Sequence, residues 1–204
     1  MKRILAIAGF GAAVLFASPV LATGMFQPDG VSPIDPQGEA EHPNIQLPAD
    51  PEGKAVDLRL HGKCDQAIPI LRGLTYNDHD DIAKFNLGQC LIDVGRVESD
   101  PARAARDKHE GAQWLLRTAN RGLPNAQMGL ITVYLNGDGV PRDPVEAAKW
   151  ALLYRSNGMR LALGMPGIPD DLQAKLDSAL NDRTWDEAQA RADNWSPDSP
   201  PRDD

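Results

Sequence analysis

Residues 125–150 read NAQMGLITVYLNGDGVPRDPVEAAKW, and they predict two short helices joined by a turn. Apolar residues at helical spacing mark the first helix: Ala126, Leu130, Val133 and Tyr134. The glycine-rich run 137–141 interrupts that spacing, and Asp143-Pro144 is typical of the start of a second helix, which continues to Trp150. A pair of helices cannot bury its apolar face alone, so this unit predicts further copies stacked against it.

A second copy of the unit lies upstream in the chain. Its residues Ala83, Leu87, Leu91, Asp100-Pro101 and Ala104-Ala105 recur 43 positions later as Ala126, Leu130, Tyr134, Asp143-Pro144 and Ala147-Ala148. Trp114 corresponds to Trp150 at an offset of 36 instead, which places a seven-residue insertion within 103–110. Seven residues make almost two helical turns, so we expect a longer second helix in the earlier copy. The equivalence of Trp114 and Trp150 predicts that both are buried between helices.

The later copy has the pattern A-Q-x-x-L-x-x-x-Y-x-x-G-x-G-V-x-x-D-x-x-x-A-x-x-W over 126–150, which resembles the Sel-1-like repeat, a relative of the tetratricopeptide repeat. The earlier copy keeps Leu87-Gly88, Asp100 and Trp114 but has V-G-R-V at 94–97 in place of the glycine-rich turn. The resemblance covers about 52–195. It implies an all-α fold, a right-handed α-solenoid of about three helix-turn-helix repeats whose inner face binds other proteins.

The domain organisation follows from this resemblance. We expect repeats at about 52–75, 80–122 and 123–158, then a capping helix pair at 169–195, because the ends of a solenoid must be covered. In the first repeat, Asp65 is positioned as a helix N-cap with Pro69 in the first turn. Apolar residues in 159–169 predict a connection packed on the third repeat, and Thr184 is positioned as the N-cap of the last helix.

The amino terminus has the features of a secretory signal peptide: Lys2 and Arg3, an apolar run over 4–16, and the small-residue end Val20-Leu21-Ala22. The run is short for a bilayer-spanning helix, so we expect cleavage after Ala22 and no membrane insertion. Residues 23–51 contain six prolines and little apolar periodicity, which predicts a disordered tether. Residues 196–204 predict a disordered tail. The mature chain would be periplasmic or secreted.

The charge of the chain excludes some partners. It carries 21 Lys and Arg against 29 Asp and Glu, a formal net charge of −8, and removal of 1–22 makes it more negative. Nucleic acids and anionic membrane surfaces attract basic patches, and the sequence has no cluster of Lys and Arg. We therefore expect neither nucleic acid nor membrane as a partner.

The two cysteines, Cys64 and Cys90, both lie in the predicted mature chain. An exported protein meets an oxidising compartment, in which an even number of cysteines can pair. A bridge between them would contribute about 3.5 kcal/mol in the chain-entropy model. The alternative, two buried free thiols, stays open because the sequence does not give the distance between the two residues.

Residues 77–81, NDHDD, suggest a metal site because carboxylates and imidazole are metal ligands. They immediately precede the helical row that begins at Ala83, where Asp and Asn side chains cap free backbone N–H groups. A calcium loop would also need alternating carboxylates and a distal glutamate, which the sequence lacks. We interpret the group as a helix cap and expect no metal and no cofactor.

A binding face follows from the register of the first helices. Leu87 and Leu130 occupy equivalent core positions, which predicts that seven residues face the inner surface: Phe85, Gln89, Asp93, Asn125, Met128, Thr132 and Asn136. Phe85 and Met128 occupy matching places and can anchor a partner peptide. The same two side chains can instead pack between neighbouring first helices, and the sequence does not decide between these roles.

The function that these observations favour is a non-enzymatic interaction scaffold of the cell envelope, with a protein or peptide partner. Motifs for nucleophilic, metal-dependent or phosphate-binding chemistry are absent from the sequence. One alternative is a secreted β-lactam-binding or hydrolysing enzyme, since some cysteine-rich relatives are described in this way. A second alternative is a structural subunit that assembles with itself.

Overall fold

Nine α-helices make up the regular structure that the computed structural model describes, over residues 49–76 and 80–198. They are α1 (Pro51–Leu60), α2 (Cys64–Leu74), α3 (Asp81–Val97), α4 (Pro101–Asn120), α5 (Pro124–Asn136), α6 (Pro144–Ser156), α7 (Gly158–Ala162), α8 (Asp170–Ala179) and α9 (Asp182–Asp193). No strand occurs in these ranges, so the all-α prediction is confirmed. The predictions for the signal peptide, for 23–48 and for 199–204 lie outside the described residues.

Consecutive helices pack against one another from α1 to α6. Alternate helices also touch, α1 with α3 and α3 with α5, as expected when helix pairs are stacked side by side. After α6 the packing no longer follows the order of the chain. The last helix, α9, contacts α6 more extensively than α8 does.

Aspartate caps begin the helices of both aligned copies. Asp100 accepts a hydrogen bond from the backbone N–H of Ala102, and Asp143 accepts two, from Val145 and Glu146, with Pro following each cap. Both predicted Asp-Pro helix starts are confirmed. Asp80 caps α3 in the same way, as the interpretation of that acidic group requires, while 77–79 lie outside the described residues.

Two predicted caps are wrong. The helix assigned to an Asp65 cap begins at Cys64, with Lys63 in the cap position two residues earlier than predicted, and Pro69 lies inside it rather than in its first turn. The last helix begins at Asp182, because Asn181 and Thr184 exchange side-chain and backbone hydrogen bonds in a capping box. Thr184 is therefore the third residue of α9 and not its cap.

The insertion lengthens α4, as predicted: α4 has 20 residues and its counterpart α6 has 13. The long helix lies close against α3 because glycines face each other across the contact. A Cβ atom on Gly111 would lie 2.7 Å from the carbonyl oxygen of Gly88, and one on Gly88 would lie 2.9 Å from that of Gly111. A side chain at either position would push the two helices apart.

The glycine-rich turn after α5 rests on the inserted part of α4. Gly139 has a positive φ of 78°, and a Cβ atom there would overlap the backbone of Lys108 and His109. A ring nitrogen of His109 also lies 3.0 Å from the carbonyl oxygen of Gly139. The turn therefore needs glycine for its backbone conformation and for its closeness to α4.

Trp150 and Trp114 differ in their surroundings. Trp150 is 1% exposed in the larger apolar cluster, where Trp195, which follows α9, meets its ring edge-on at 6.1 Å. Trp114 is only partly buried against the smaller cluster, and its indole N–H faces Glu110 at 3.3 Å. The prediction of burial is right for Trp150 and wrong for Trp114, whose ring lies under the Arg117 guanidinium of its own helix, 5.0 Å from the ring centre.

Cys64 and Cys90 form the predicted disulfide, with their Cα atoms 5.0 Å apart and a sequence separation of 26. Both side chains are buried in the smaller cluster. The bond connects α2 with α3, so it holds the first helix pair on the second.

An ion-pair network holds α9 on α6. The Arg191 guanidinium lies 3.0 Å from Asp143, 3.1 Å from Glu146 and 2.7 Å from Glu187. The pKa of Arg191 is raised above its usual value, chiefly by its hydrogen bond to Asp143 and then by Glu187. Partial burial acts to raise the pKa of Asp143, but bonds from the Glu146 N–H and from Arg191 outweigh it and leave the pKa lowered. Burial raises the pKa of nearby Tyr134 to about 12, and the two carboxylates add to this rise.

We expect Gly139→Ala to lower the free energy of unfolding by about 3–5 kcal/mol, because it combines a strained positive φ with overlap against α4. Gly164→Ala is the matched control: Gly164 also has a positive φ, of 62°, but a Cβ atom there meets nothing within 4 Å. The control should lose only about 1–2 kcal/mol. Urea unfolding followed by circular dichroism measures both, and equal losses would contradict the seating of the turn on α4.

We expect Arg191→Ala to lower the melting temperature at pH 7 by about 2–4 °C, with no such effect for Arg183→Ala, an exposed arginine on the same helix. A carboxyl with a lowered pKa contributes stability above its unfolded pKa of about 4 and loses it as pH falls through the folded pKa. The difference between wild type and Arg191→Ala should therefore shrink below about pH 4. Thermal melts across this pH range test the expectation, and a difference that stays constant down to pH 2 would refute it.

Candidate functional site

The seven residues predicted for the inner face differ in exposure. The polar members Asp93, Asn125 and Asn136 are exposed. The other four are partly buried: Phe85, Gln89, Met128 and Thr132. All seven lie on α3 or α5, which touch each other.

Phe85 and Met128 both pack against the larger apolar cluster. The Arg59 guanidinium from α1 also lies over the Phe85 ring, 5.8 Å from its centre. The two side chains therefore contribute to packing between the helices, which the sequence left open as the alternative to binding a partner peptide. Their role in binding a partner stays a prediction.

The Gln89 side chain on α3 contacts α5 at Gly129. Its side-chain amide nitrogen fills the space that a Cβ atom would take at Gly129, the residue after Met128. A larger residue at 129 would displace Gln89, so this glycine keeps the amide on the surface between the two helices.

Asp93 and Asn136 are brought together by two residues that the sequence did not single out, Arg96 and Asp138. Arg96 donates to Asp138 at 2.9 and 3.2 Å and to Asp93 at 3.1 Å. The Asn136 amide donates to Asp138 at 3.2 Å. Asp138 is 7% exposed, so its charge is held by these partners.

A signal for these two residues was present in the sequence. Arg96 stands in the V-G-R-V run that replaces the glycine-rich turn of the earlier copy, and Asp138 lies between the two glycines of the later one. Each is a charged residue where the other copy has glycine: at the offset of 43, Arg96 corresponds to Gly139 and Asp138 to Gly95. Only the spatial contact between the copies shows that the two charges form a pair.

A groove continues this surface from α5 to α8. It has a volume of about 200 Å³ and is lined by seven residues: Thr132, Leu135, Asn136, Pro169, Asp171, Leu172 and Lys175. Two of them, Thr132 and Asn136, belong to the predicted inner face. The four residues from 169–175 were missed because α8 was assigned only to the capping pair. We call this the α5/α8 groove.

Asn125 takes no part in this arrangement. It is exposed at the second position of α5, at the opposite end of the helix from Asn136, and no described contact joins it to the other six.

The side chains on this surface offer hydrogen-bonding groups and an apolar lining. Side-chain amides and a hydroxyl can donate to and accept from the main chain of an extended peptide. Leu135, Pro169 and Leu172 offer an apolar lining for a side chain, and the exposed pair Lys175–Asp171, 3.5 Å apart, lies at the rim.

Metal and membrane features were sought in the same ranges. In the described parts of the chain, no group of three or more His, Cys, Asp or Glu residues is placed to hold a metal ion. None of the helices within 49–76 and 80–198 combines the length and apolar character needed to cross a bilayer.

Comparison of the chain with protein-family models, with curated proteins and with solved structures finds no match. The resemblance to the Sel-1-like repeat therefore rests on the residues of 126–150 and on the partial second copy.

We expect Asp138→Asn to lower the free energy of unfolding by about 1–3 kcal/mol, because Arg96 loses a largely buried carboxylate partner. Asp93→Asn is the matched control, since Asp93 bonds the same guanidinium but is exposed. The control should cost at most about 1 kcal/mol. Chemical unfolding of the two variants measures the difference, and a larger loss from Asp93→Asn would show that Asp138 is not the main partner.

Proposed function

We propose that the protein is a non-enzymatic scaffold of the cell envelope that binds an extended peptide segment of a protein partner. The partner lies along α3, α5 and the α5/α8 groove. The observation that carries the proposal is the continuous surface from Gln89 through the Arg96–Asp138 network to Asn136 and the groove. It combines side-chain amides, a hydroxyl and paired charges with a groove whose lining includes Leu135, Pro169 and Leu172, which suits an extended peptide.

The architecture that we propose for this scaffold is a right-handed α-solenoid. Two observations support it: consecutive helices pack in pairs, and alternate helices α1, α3 and α5 also touch. In such a stack the first helix of each pair lines the inner face, which is where α3 and α5 carry the predicted residues.

Two features of the chain support the assignment to the envelope. A buried disulfide between Cys64 and Cys90 is typical of proteins from oxidising compartments. The amino-terminal features of 1–22 predict passage into such a compartment. The proposed location is therefore the periplasm or the exterior of the cell.

Site-specific photo-crosslinking in the native envelope tests the proposal. A photoreactive residue at Asn136, on the surface beside the groove, should give a discrete adduct with one protein. The same residue at Gln66, an exposed amide on α2, is the matched control and should give none.

A blocking variant makes the test specific. With the crosslinker kept at Asn136, Thr132→Arg should reduce the adduct at least about fivefold by filling the α5/α8 groove, while circular dichroism and the melting temperature stay near wild type. Equal adducts at Asn136 and Gln66, or an adduct unaffected by Thr132→Arg, would refute binding at this surface.

A further inference from the structure

Three large apolar side chains project into solvent close together in the chain. Met159 and Leu161 on α7 are 51% and 59% exposed, and Leu163, immediately after α7, is 68% exposed. The expectation that 159–169 packs its apolar residues on the third repeat is wrong for these three. We call them the α7 knuckle. Grouped apolar side chains on a surface mark a place where another molecule binds.

The α7 knuckle is held outward by polar contacts on its other side. The Asn157 side chain caps α7 by accepting from the N–H of Arg160. Its amide donates to the Gly122 carbonyl at 2.9 Å and to the buried Gln127 at 2.8 Å. These bonds fasten the start of α7 to the turn between α4 and α5.

Arg160 and Tyr154 fasten the segment that follows. The Arg160 guanidinium donates to the carbonyl oxygens of Arg155 and Met165 and lies over the Tyr154 ring at 5.2 Å. The Tyr154 hydroxyl donates to the Pro166 carbonyl at 2.7 Å. Turning the apolar side chains inward would break this network, so their exposure is built into the fold.

A second groove adjoins the knuckle, between the carboxyl-terminal ends of α6 and α9. It has a volume of about 380 Å³ and is lined by seven residues: Leu152, Leu153, Arg155, Ser156, Gln189, Ala192 and Asp193. α7 begins two residues after Ser156, and Arg160 bonds the carbonyl of Arg155, so the knuckle starts at the edge of this groove. We call it the α6/α9 groove, and it shares no lining residue with the α5/α8 groove.

The α6/α9 groove carries charges of both signs, Arg155 and Asp193, and Arg160 lies beside it on α7. Arg155 donates to the Gln173 amide oxygen, and Arg160 donates to backbone carbonyls, so neither has a carboxylate partner among the contacts of the described chain. Asp193 accepts from the Gln189 amide and has no described ion pair with Lys or Arg. An arginine of one copy can therefore pair with Asp193 of another copy. An uncharged partner could not form this ion pair.

We propose that two copies of this chain associate about a twofold axis, each placing its α7 knuckle in the α6/α9 groove of the other. An isologous contact requires a projection beside a cavity. The twofold rotation then brings the knuckle of each copy opposite the groove of the other. The apolar side chains fill the cavity floor formed by Leu152, Leu153 and Ala192. Arg155 pairs with Asp193 of the other copy at the rim.

Sedimentation equilibrium of the purified mature protein over a range of concentrations tests the proposal. Wild type should convert from one chain to two as concentration rises. Leu163→Asp should weaken the association by more than about tenfold, because a carboxylate would replace an apolar side chain against Leu152, Leu153 and Ala192. Leu60→Asp is the matched control, since Leu60 is also 68% exposed but lies at the end of α1, and it should leave the association unchanged.

A charge exchange tests the orientation. Arg155→Glu and Asp193→Lys should each weaken the association about three- to tenfold, and the double variant should return to within about threefold of wild type.

Four outcomes would overturn the proposal. They are a single-chain mass up to the solubility limit, association that survives Leu163→Asp, equal weakening by Leu60→Asp, and a double charge variant no stronger than the single ones. A single-chain mass together with knuckle-dependent binding to another protein would also assign the surface to a different partner. None of these outcomes alters the crosslinking result at Asn136, so the two proposals fail separately.

Discussion

The burial of α5 is the constraint on which the rest of the structure depends. Its stripe of Ala126, Leu130 and Val133 is fully buried, yet a helix of 13 residues is not stable in water by itself. α4 covers one side of it and α6 the other. Each of those helices has a further apolar side: α3 covers that of α4, and α9 covers that of α6. The stability of the domain is therefore shared between neighbouring pairs rather than held in any one of them.

Departures from the repeat pattern became contacts between the copies. The inserted turns of α4 supply Lys108 and His109, on which Gly139 of the next copy rests. Arg96 occupies the place of the missing glycine-rich turn and bonds Asp138 in the turn that is present. The residues by which the two copies differ therefore form the contacts between them. Two identical copies would have neither the contact of Gly139 with α4 nor the Arg96–Asp138 ion pair.

The two proposed binding surfaces differ in how they are supported. The predicted inner face includes side chains that also pack the helices, among them Phe85 and Met128. The α7 knuckle is supported from behind by Asn157, Arg160 and Tyr154, and its apolar side chains make no such contribution. A change in the knuckle can therefore alter association without loss of fold, whereas changes on the inner face must be small to separate the two effects.

Local patterns in the sequence determined the helices of the two aligned copies, their Asp-Pro starts and the added length of α4, because periodicity and capping act within a few residues. They also suggested the Cys64–Cys90 bond without deciding it. The tertiary structure decided what depends on distant neighbours: Trp195 meets the ring of Trp150 from 45 residues away, whereas Arg117 of the same helix lies over Trp114, and Arg96 meets Asp138 across two copies. It also decided the outward direction of the α7 knuckle. The sequence predicted that these apolar residues pack on the third repeat, whereas the polar bonds formed behind α7, with partners as far away in sequence as Gly122, hold the segment with its apolar side chains in solvent.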